Sequence, residues 1–232
     1  MTLRIALFGL GRLGREIIAL APEREAVVAL KYGRNGSPSA DALQAAAIDV
    51  AIDVSVAEAV QHNAAICAAA RVPVVIGVTG WENGESDLRR AVVNAGSGVL
   101  IAPNFSLGAT LFAVAVADAA RRFALALGFD AAIVETHHAQ KKDAPSGTAR
   151  HLAALVERRR GFAVPVTSVR VGHVPGTHSL VLDAAFEQVT LTHEARDRRV
   201  FADGALLAAR WMRGRAGSFT MTDVVRELTG EA

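Results

Sequence analysis

Cysteine, aromatic residues and long apolar runs are all scarce in this chain of 232 residues. The single cysteine, Cys67, excludes an internal disulfide and any cysteine-based metal site. No apolar run reaches the roughly 18 residues of a membrane helix, and the N-terminus enters a strand pattern without the apolar segment of a signal peptide. We therefore expect a soluble, cytoplasmic protein without membrane contacts.

An excess of charge of one sign is also lacking. The chain has 25 Lys and Arg residues against 23 Asp and Glu residues, for a net charge of +2. Short arginine clusters at Arg121–Arg122, Arg158–Arg160 and Arg196–Arg199 are not interleaved with aromatic residues, so solvated helix ends and loops explain them better than a nucleic-acid face does. We predict no nucleic-acid partner.

Apolar residues are abundant, at 51% of the chain, which is enough for a buried core. From Leu3–Phe8 to Gly98–Ala102, continuous apolar runs alternate with helical patterns. Continuous runs are typical of parallel strands that helices cover on both faces. The first hundred residues therefore predict an α/β fold built on a parallel sheet.

The pattern changes after Asn104. A long apolar helix is predicted at Leu107–Leu127, then a strand at Ala131–His137 and a helix at Ser146–Arg159. Three strands predicted to be antiparallel follow, at Val166–Gly172, Thr177–Ala184 and Glu187–His193. We predict one domain of residues 1–106 plus about 207–232, and a second, α+β domain of residues 107–206 with a mixed or antiparallel sheet.

Glycines at the first strand–helix turn point to a dinucleotide. Gly9–Gly14 matches G-x-G-x-x-G, in which glycines let backbone N–H groups approach a pyrophosphate at a helix N-terminus. The alternative is a tight turn that binds nothing. Two further loops, Gly77–Gly80 and Ala102–Ser106, also follow strand ends, where ligands bind in such sheets.

No carboxylate stands at the end of the second strand, where one would normally bind the ribose 2′-hydroxyl. Lys31 and Arg34 occupy this region and could meet a 2′-phosphate instead. This favours NADPH and leaves NADH, or the use of both, open.

Ionisable side chains are concentrated from Glu135 to Asp143, directly after an apolar strand. When a conjugated imine is reduced, hydride adds to carbon, negative charge moves to nitrogen and a proton must arrive. A His or Lys within hydrogen-bond reach can stabilise that charge or donate the proton. Ser146–Thr148, at a helix start, offers hydroxyl and N–H groups to a carboxylate. The stretch predicts a nicotinamide-dependent reductase of a small dicarboxylate.

Simpler roles stay open for single residues of this stretch. His137 and His138 point to opposite sides if the chain is extended, so one of them could be structural. Lys141 and Lys142 could be a solvated pair, and Asp143 could cap the following helix. We expect no metal site, because the His-x₃-His spacing of a helix pair is absent.

The segment ETHHAQKKDAPSGTA, at Glu135–Ala149, resembles the E-x-HH-x-x-K-x-DAPSGTA signature of the 4-hydroxy-tetrahydrodipicolinate (dihydrodipicolinate) reductases of bacterial lysine and diaminopimelate synthesis. Nearly the whole chain shares the resemblance, through GLGRLG, IDVS, GVTG, APNFSLG, VPGT and FADGALLAARW in the family's order. It implies an N-terminal Rossmann domain, a central substrate-binding and tetramerisation domain, and reduction of 4-hydroxy-tetrahydrodipicolinate, via dihydrodipicolinate, to tetrahydrodipicolinate by NADH or NADPH.

The resemblance also implies residue roles. His137 matches the catalytic histidine, Lys141 the proton donor and His138 a ligand of the substrate carboxylate. The other implied substrate contacts are Ser146, Gly147, Thr148 and Arg198, the last with Arg196 and Arg199 as neighbours. The predicted cofactor contacts are Gly9, Leu10, Gly11, Arg12, Leu13, Gly14, Arg34, Gly77, Val78, Thr79, Ala102, Pro103, Asn104 and Phe105.

Two departures from the family accompany these matches: a shorter segment before Asp49, and the missing ribose-selecting carboxylate. Neither affects the implied chemistry. Two other functions compete with the reductase: a related two-domain amine or aldehyde dehydrogenase, and a dinucleotide-binding sensor without turnover. The first would need a different polar signature after Val134, and the second predicts the loss of a catalytic group.

Overall fold

A computed structural model describes residues 1–124 and 128–230. The strands are β1 (Leu3–Phe8), β2 (Ala26–Tyr32), β3 (Val50–Asp53), β4 (Val74–Ile76), β5 (Gly98–Ile101), β6 (Asp130–His137), β7 (Val166–Arg170), β8 (Gly176–Ala184), β9 (Glu187–Ala195) and β10 (Gly217–Phe219). The helices are α1 (Arg12–Leu20), α2 (Ala40–Ala45), α3 (Val60–Ala69), α4 (Glu85–Asn94), α5 (Leu107–Ala124), α6 (Gly147–Arg160), α7 (Arg199–Met212) and α8 (Met221–Thr229). Residues 125–127 of the long helix predicted at Leu107–Leu127 lie outside the described residues.

The chain forms two compact units. The first contains Met1–Leu107 and the chain from Arg199 onward, and the second is Gly108–Arg198. The sequence predicts that the chain leaves the second domain and re-enters the first at about residue 207, which lies inside α7. The return comes earlier because the whole of α7 packs in the first unit, where Ala202, Ala205 and Met212 are fully buried.

A six-stranded sheet in the order β10-β5-β4-β3-β1-β2 forms the centre of the first unit, and all its neighbouring strands are parallel. Alternate residues of β1 point to opposite faces. Ile5 and Leu7 pack with α1, α7 and α8, whereas Ala6 and Phe8 pack with α3 and α4. Burial on both faces explains the continuous apolar runs, and the predicted parallel sheet is confirmed. The short strand β10 was not predicted.

The second unit contains a four-stranded mixed sheet in the order β7-β6-β8-β9. Strands β8 and β9 are antiparallel neighbours, as predicted. Strand β6, for which no direction was predicted, pairs antiparallel to β8, and β7 pairs parallel to β6. The prediction that Val166–Gly172 is antiparallel was wrong, because α6 carries the chain back across the sheet between β6 and β7, and such a crossover gives parallel strands. One face packs against α5 and α6 through Ile133, Leu180, Leu152 and Val116.

Both sheets agree with the predicted fold class, which is an α/β fold with a Rossmann-type parallel sheet and a second α+β domain. In the part of the chain that the structure describes, no helix is both long and apolar enough to span a membrane.

Candidate active site

Three polar side chains meet on the buried face of the second unit's sheet. Glu135 and His137 are two residues apart on β6 and therefore share a face. His178 lies on β8 directly opposite Glu135. All three are buried, and their relative exposures are 0%, 8% and 5%. Because burial of polar groups is costly without compensation, this cluster is a candidate functional site.

Hydrogen bonds fix one oxygen of Glu135. Its Oε1 accepts from the backbone N–H of Ser146 at 3.0 Å, from Ser168 Oγ at 2.7 Å and from Arg170 at 2.8 Å. Burial by itself raises the pKa of Glu135, but the hydrogen bonds from Ser146, Ser168 and Arg170 outweigh it and lower the pKa to about 2. Glu135 is therefore a carboxylate at any ordinary pH, and it joins β6, β7 and the start of α6.

The other oxygen of Glu135 faces the two histidines. His137 Nε2 lies 3.1 Å from Oε2, and His178 Nε2 lies 3.8 Å from it. Within the described residues, no donor meets Oε2 with hydrogen-bond geometry, despite the short distance to His137. A buried carboxylate oxygen is thus aimed at two ring nitrogens without being satisfied by either.

His137 has a defined orientation between two acceptors. Its Nδ1 is 3.3 Å from the carbonyl oxygen of Pro175, which can only accept a hydrogen bond, so Nδ1 carries the proton in this contact. Burial lowers the pKa of His137, and the Glu135 carboxylate opposes this shift. In the neutral ring, Nε2 then carries a lone pair. A proton on Nε2 is stabilised by Glu135, so His137 can exchange a proton there.

His178 completes the cluster from β8. Its Nε2 is 3.3 Å from His137 Nε2 and 3.3 Å from Ser146 Oγ, and the two rings meet edge to face. Burial lowers the pKa of His178 to about 4, and a charge on His137 would act in the same direction. His178 is therefore neutral at physiological pH.

The predicted proton donor, Lys141, lies in the turn that follows β6. Its Nζ donates to Asp143 Oδ1 at 2.7 Å, and its backbone N–H donates to the carbonyl oxygen of His138 at 3.1 Å. The ammonium of Lys141 in turn lowers the pKa of Asp143. Arg170 donates to the carbonyl oxygen of Asp143 at 2.6 Å and so ties this turn to Glu135.

The predicted substrate contacts fall into two places in the second unit. Arg198 lies 3.1 Å from His138 Nε2, so these two sequence-distant residues are neighbours. Ser146 caps α6 by accepting from the N–H of Ala149, which leaves Gly147 and Thr148 in the first turn. A Cβ on Gly147 would meet only a side-chain atom of Arg150, at 3.9 Å. The helix start is therefore open to a carboxylate.

In the first unit, the glycine turn lies between β1 and α1, and its three glycines differ in surroundings. A Cβ on Gly9 would lie 2.4 Å from the carbonyl oxygen of Val54, and one on Gly14 would lie 2.1 Å from that of Gly9. A Cβ on Gly11 would meet nothing within 4 Å. Gly9 and Gly14 therefore allow close backbone packing, whereas Gly11 leaves open space at the N-terminus of α1, where a phosphate is favoured.

A cavity of about 340 Å³ adjoins this turn. Its lining includes predicted cofactor contacts from the glycine turn and from the loop Gly77–Thr79. It also includes the segment 54–58, which was not predicted to contact the cofactor. The lining residues are Leu13, Val54, Ser55, Val56, Ala57, Glu58, Gly77, Val78 and Thr79. A buried carboxylate holds the unpredicted segment: Asp53 accepts from Ser55 and from Asn63 Nδ2 at 2.9 Å.

The third predicted loop is held by a close approach of α7. A Cβ on Gly204 would lie 1.8 Å from the carbonyl oxygen of Phe105, and one on Gly77 would lie 2.3 Å from the Phe105 ring. These contacts bring Ala102–Phe105 beside Gly77–Thr79. Arg34 and Lys31 are exposed near the end of β2.

Sequence reasoning missed Arg170, Ser168 and His178, which lie on β7 and β8. A signal for His178 was available in the sequence, because it precedes Leu180 and Leu182 by two and four residues and so falls on their side of a strand. In the structure, these three residues share the buried side of β8. A polar residue on the apolar side of such a pattern is unusual and suggests a role.

Comparisons with known proteins agree with these features. Residues 3–105 match the family model "Dihydrodipicolinate reductase, N-terminus", and residues 108–225 match "Dihydrodipicolinate reductase, C-terminus". The 4-hydroxy-tetrahydrodipicolinate reductase of Acidiphilium cryptum (strain JF-5) is 39% identical over 96% of this chain and 97% of that protein. That of Gluconobacter oxydans (strain 621H) is 44% identical over 77% of each.

The fold has a solved counterpart as well. The structure described as dipicolinate-bound dihydrodipicolinate reductase from Paenisporosarcina sp. TG-14 matches with a TM-score of 0.81 at 22% identity, and the match covers 95% of this chain and 98% of that one. With both halves matched by family models and close relatives aligned over nearly their full length, the chain belongs to the dihydrodipicolinate reductase family.

Proposed function

We propose that the chain is the 4-hydroxy-tetrahydrodipicolinate reductase of lysine and diaminopimelate synthesis and that its proton chemistry takes place around His137 and Lys141. The observation that carries this proposal is the buried Glu135–His137–His178 cluster next to the turn that holds Lys141. A non-catalytic sensor would not need these groups, and family membership disfavours a different dehydrogenase.

The reduction needs a proton donor near the nitrogen that gains charge. Lys141 has three N–H donors, one of which is bonded to Asp143. We assign proton delivery to Lys141 and charge stabilisation to His137, whose Nε2 faces the Glu135 carboxylate. The carboxylate stabilises a positive charge on His137 without itself taking a proton, because its pKa is near 2.

The substrate is proposed to be a small dicarboxylate. Arg198 and His138 form one cationic or hydrogen-bonding pair, and the first turn of α6 at Gly147 and Thr148, which Ser146 caps, presents a helix N-terminus. Each place suits one carboxylate. The dipicolinate in the similar structure is itself a dicarboxylate.

The residues of the first unit fit a dinucleotide. The open space at Gly11 accommodates a pyrophosphate, and the adjoining cavity with the loops at Gly77–Thr79 and Ala102–Phe105 offers room for the rest of the molecule. The bound nicotinamide supplies the hydride. We propose a preference for NADPH, since exposed Arg34 and Lys31 stand where a 2′-phosphate would be met and no carboxylate opposes it.

We also propose a homotetramer built on the sheet of the second unit. The face opposite α5 and α6 carries the partly exposed Val134, Val181 and Val169, the last 40% exposed. The same face carries the uncharged Ser179 and Thr192, so it mixes valines with small polar side chains, and such a surface can pack against a second copy. Light scattering would test the subunit number, and the cytoplasmic location stays a prediction.

A coupled assay tests the proposed reaction. Pyruvate and aspartate semialdehyde are supplied with a coupling synthase, and the absorbance of NADPH or NADH is followed. We expect oxidation that depends on the synthase and is faster with NADPH. The absence of synthase-dependent oxidation with both cofactors would refute the proposal, whereas a faster rate with NADH would refute only the cofactor preference.

A further inference from the structure

The Glu135–His137–His178 cluster has the geometry of a metal site. We infer that Glu135 Oε2, His137 Nε2 and His178 Nε2 bind one divalent transition-metal cation of the Zn²⁺ class, and that the bound ion inhibits the enzyme. No ion is present in the structure. The binding does not depend on the proposed function, whereas the inhibition rests on it.

The separations of the three ligand atoms carry the inference. They are 3.1 Å between Glu135 Oε2 and His137 Nε2, 3.3 Å between the two Nε2 atoms and 3.8 Å between Glu135 Oε2 and His178 Nε2. A circle through three points at these separations has a radius of about 2.0 Å, which matches the Zn–N and Zn–O bond lengths of protein sites. An ion about 0.7 Å out of the plane of the three atoms would thus lie about 2.1 Å from each of them, without movement of the backbone, and would keep a fourth, tetrahedral position open.

The directions of the rings agree with the distances. The ring centroids of His137 and His178 are 5.0 Å apart, and the planes are inclined by 72°. Two imidazoles that bind one tetrahedral ion through Nε2 have centroids roughly 5 Å apart. Both nitrogens therefore face a common point, and Glu135 Oε2, which has no hydrogen bond in the described part of the chain, lies beside that point.

The surrounding hydrogen bonds are those that metal ligands need. The Nδ1 of His137 faces the Pro175 carbonyl oxygen, which orients the ring as in many metal-bound histidines. Glu135 Oε1 is held by Ser168 and Arg170, which leaves Oε2 free for an ion. Two protein nitrogens and one carboxylate oxygen form a donor set that Zn²⁺ commonly takes, with a fourth position open to water.

Two features limit the affinity. Arg170 and Lys141 bring positive charge near the cluster, and the Nδ1 of His178 has no hydrogen-bond partner among the described residues. We therefore expect reversible binding that is weaker than in a structural zinc site. An ion at this place occupies the lone pair of His137 Nε2, so His137 can no longer take up a proton there.

The site differs from the one that the sequence argument considered. The absence of a histidine pair on one helix predicts no metal site of that kind. Here, an i, i+2 pair on β6 and a third ligand on the neighbouring strand β8 come together through antiparallel register. A spacing rule for helices does not detect such a set.

Metal titration of the chelator-stripped full chain tests the inference. Co²⁺ is followed by its visible absorption and Zn²⁺ by calorimetry, in wild type, His178→Asn and His193→Asn. His193 is the matched control, because it lies opposite His178 on β9 but stacks on Phe112 outside the cluster. We expect one ion per chain in wild type and His193→Asn, and binding weaker by more than about tenfold in His178→Asn.

A folding check, a second ligand variant and an activity measurement separate the possible outcomes. Circular dichroism checks that His178→Asn is folded. If it is not, His137→Gln replaces it and is expected to show the same loss. Absence of binding to wild type, or equal binding by wild type and a folded ligand variant, would overturn the site. Reductase activity that Zn²⁺ leaves unchanged while the ion is bound would overturn the inhibition alone. A chain that binds Zn²⁺ but has no reductase activity would contradict the proposed function and leave the site standing.

Discussion

The glycine turn makes different demands at Gly14 and Gly11, and alanine substitution separates them. A Cβ at position 14 would lie 2.1 Å from the carbonyl oxygen of Gly9, so one of the two backbones must move by about 1 Å to restore contact. At position 11, the same methyl group would meet no protein atom within 4 Å. The pair therefore distinguishes a fold requirement from a ligand requirement.

The magnitudes follow from these surroundings. Overpacking costs about 1–3 kcal/mol, and replacing a helical glycine recovers about 0.5–1 kcal/mol. Because the clash of Gly14→Ala is with backbone, we expect a net loss of about 2 kcal/mol, or about 4–8 °C in Tm. Gly11 caps α1 in an extended conformation that alanine can adopt, with φ of −70°. Its replacement should cost only about 0.5 kcal/mol.

Binding of NADPH should show the reverse order. The methyl group of Gly11→Ala projects into the space assigned to the pyrophosphate, and we expect the Kd to rise about tenfold or more, which corresponds to about 1.4 kcal/mol. Thermal unfolding gives Tm, and calorimetry with the folded protein gives Kd. A Gly14→Ala variant as stable as wild type would refute the close approach. Wild-type affinity in Gly11→Ala would refute the pyrophosphate assignment.

Three further variants test the second unit. Lys141→Ala should lower kcat by about 10²–10⁴-fold, as loss of a general acid does, while calorimetry finds NADPH binding unchanged; an unchanged rate would remove the proton-donor assignment. Gly176→Ala places a Cβ 2.9 Å from His137 Cε1 and should lower kcat by displacing that ring. Gly161→Ala, at the end of α6, is the control: its φ of 79° makes alanine costly to stability, but its Cβ would meet nothing within 4 Å, so kcat of the folded variant should be unchanged. The lowered pKa of Glu135 stabilises the fold above the unfolded pKa near 4.5, by about 3 kcal/mol, and this contribution disappears as the pH falls toward 2. Urea unfolding with a chelator present should therefore find Glu135→Gln much less stable than wild type at pH 7. The difference should fall to about 1.4 kcal/mol at pH 3 and nearly vanish at pH 2; a difference that does not change with pH would contradict this.

The sequence predicts the parallel sheet and the polar turn because their signals are local. Continuous apolar runs such as Leu3–Phe8 reflect burial on both faces of a strand, and the segment after Val134 carries its chemistry within a few residues. The direction of β7 was not accessible in this way. Alternation predicts a strand, but the pairing partner and direction depend on where α6 returns the chain.

The same limit explains the missed part of the site. His178 meets Glu135 only because β6 and β8 pair in one particular register, and Arg170 reaches Glu135 from the parallel strand on the other side. A shift of one residue in either pairing would turn these side chains to the opposite face. Sequence spacing within a segment carries no information about such cross-strand neighbours.

Glu135 links the stability of the second unit to its proposed chemistry. One oxygen is fixed by Ser146, Ser168 and Arg170, and thereby joins β6, β7 and the start of α6, while the other oxygen faces the two histidines. Removing its charge leaves the partly buried Arg170 without its counter-ion, although its bond to the Asp143 carbonyl oxygen remains, and this loss is more costly than that of a neutral hydrogen bond. A substitution at Glu135 therefore affects folding, the helix start offered to a carboxylate and the protonation of His137 at once. Substitution of His178 leaves the Oε1 contacts in place, so differences between these two positions distinguish the structural role of the carboxylate from its electrostatic role at His137.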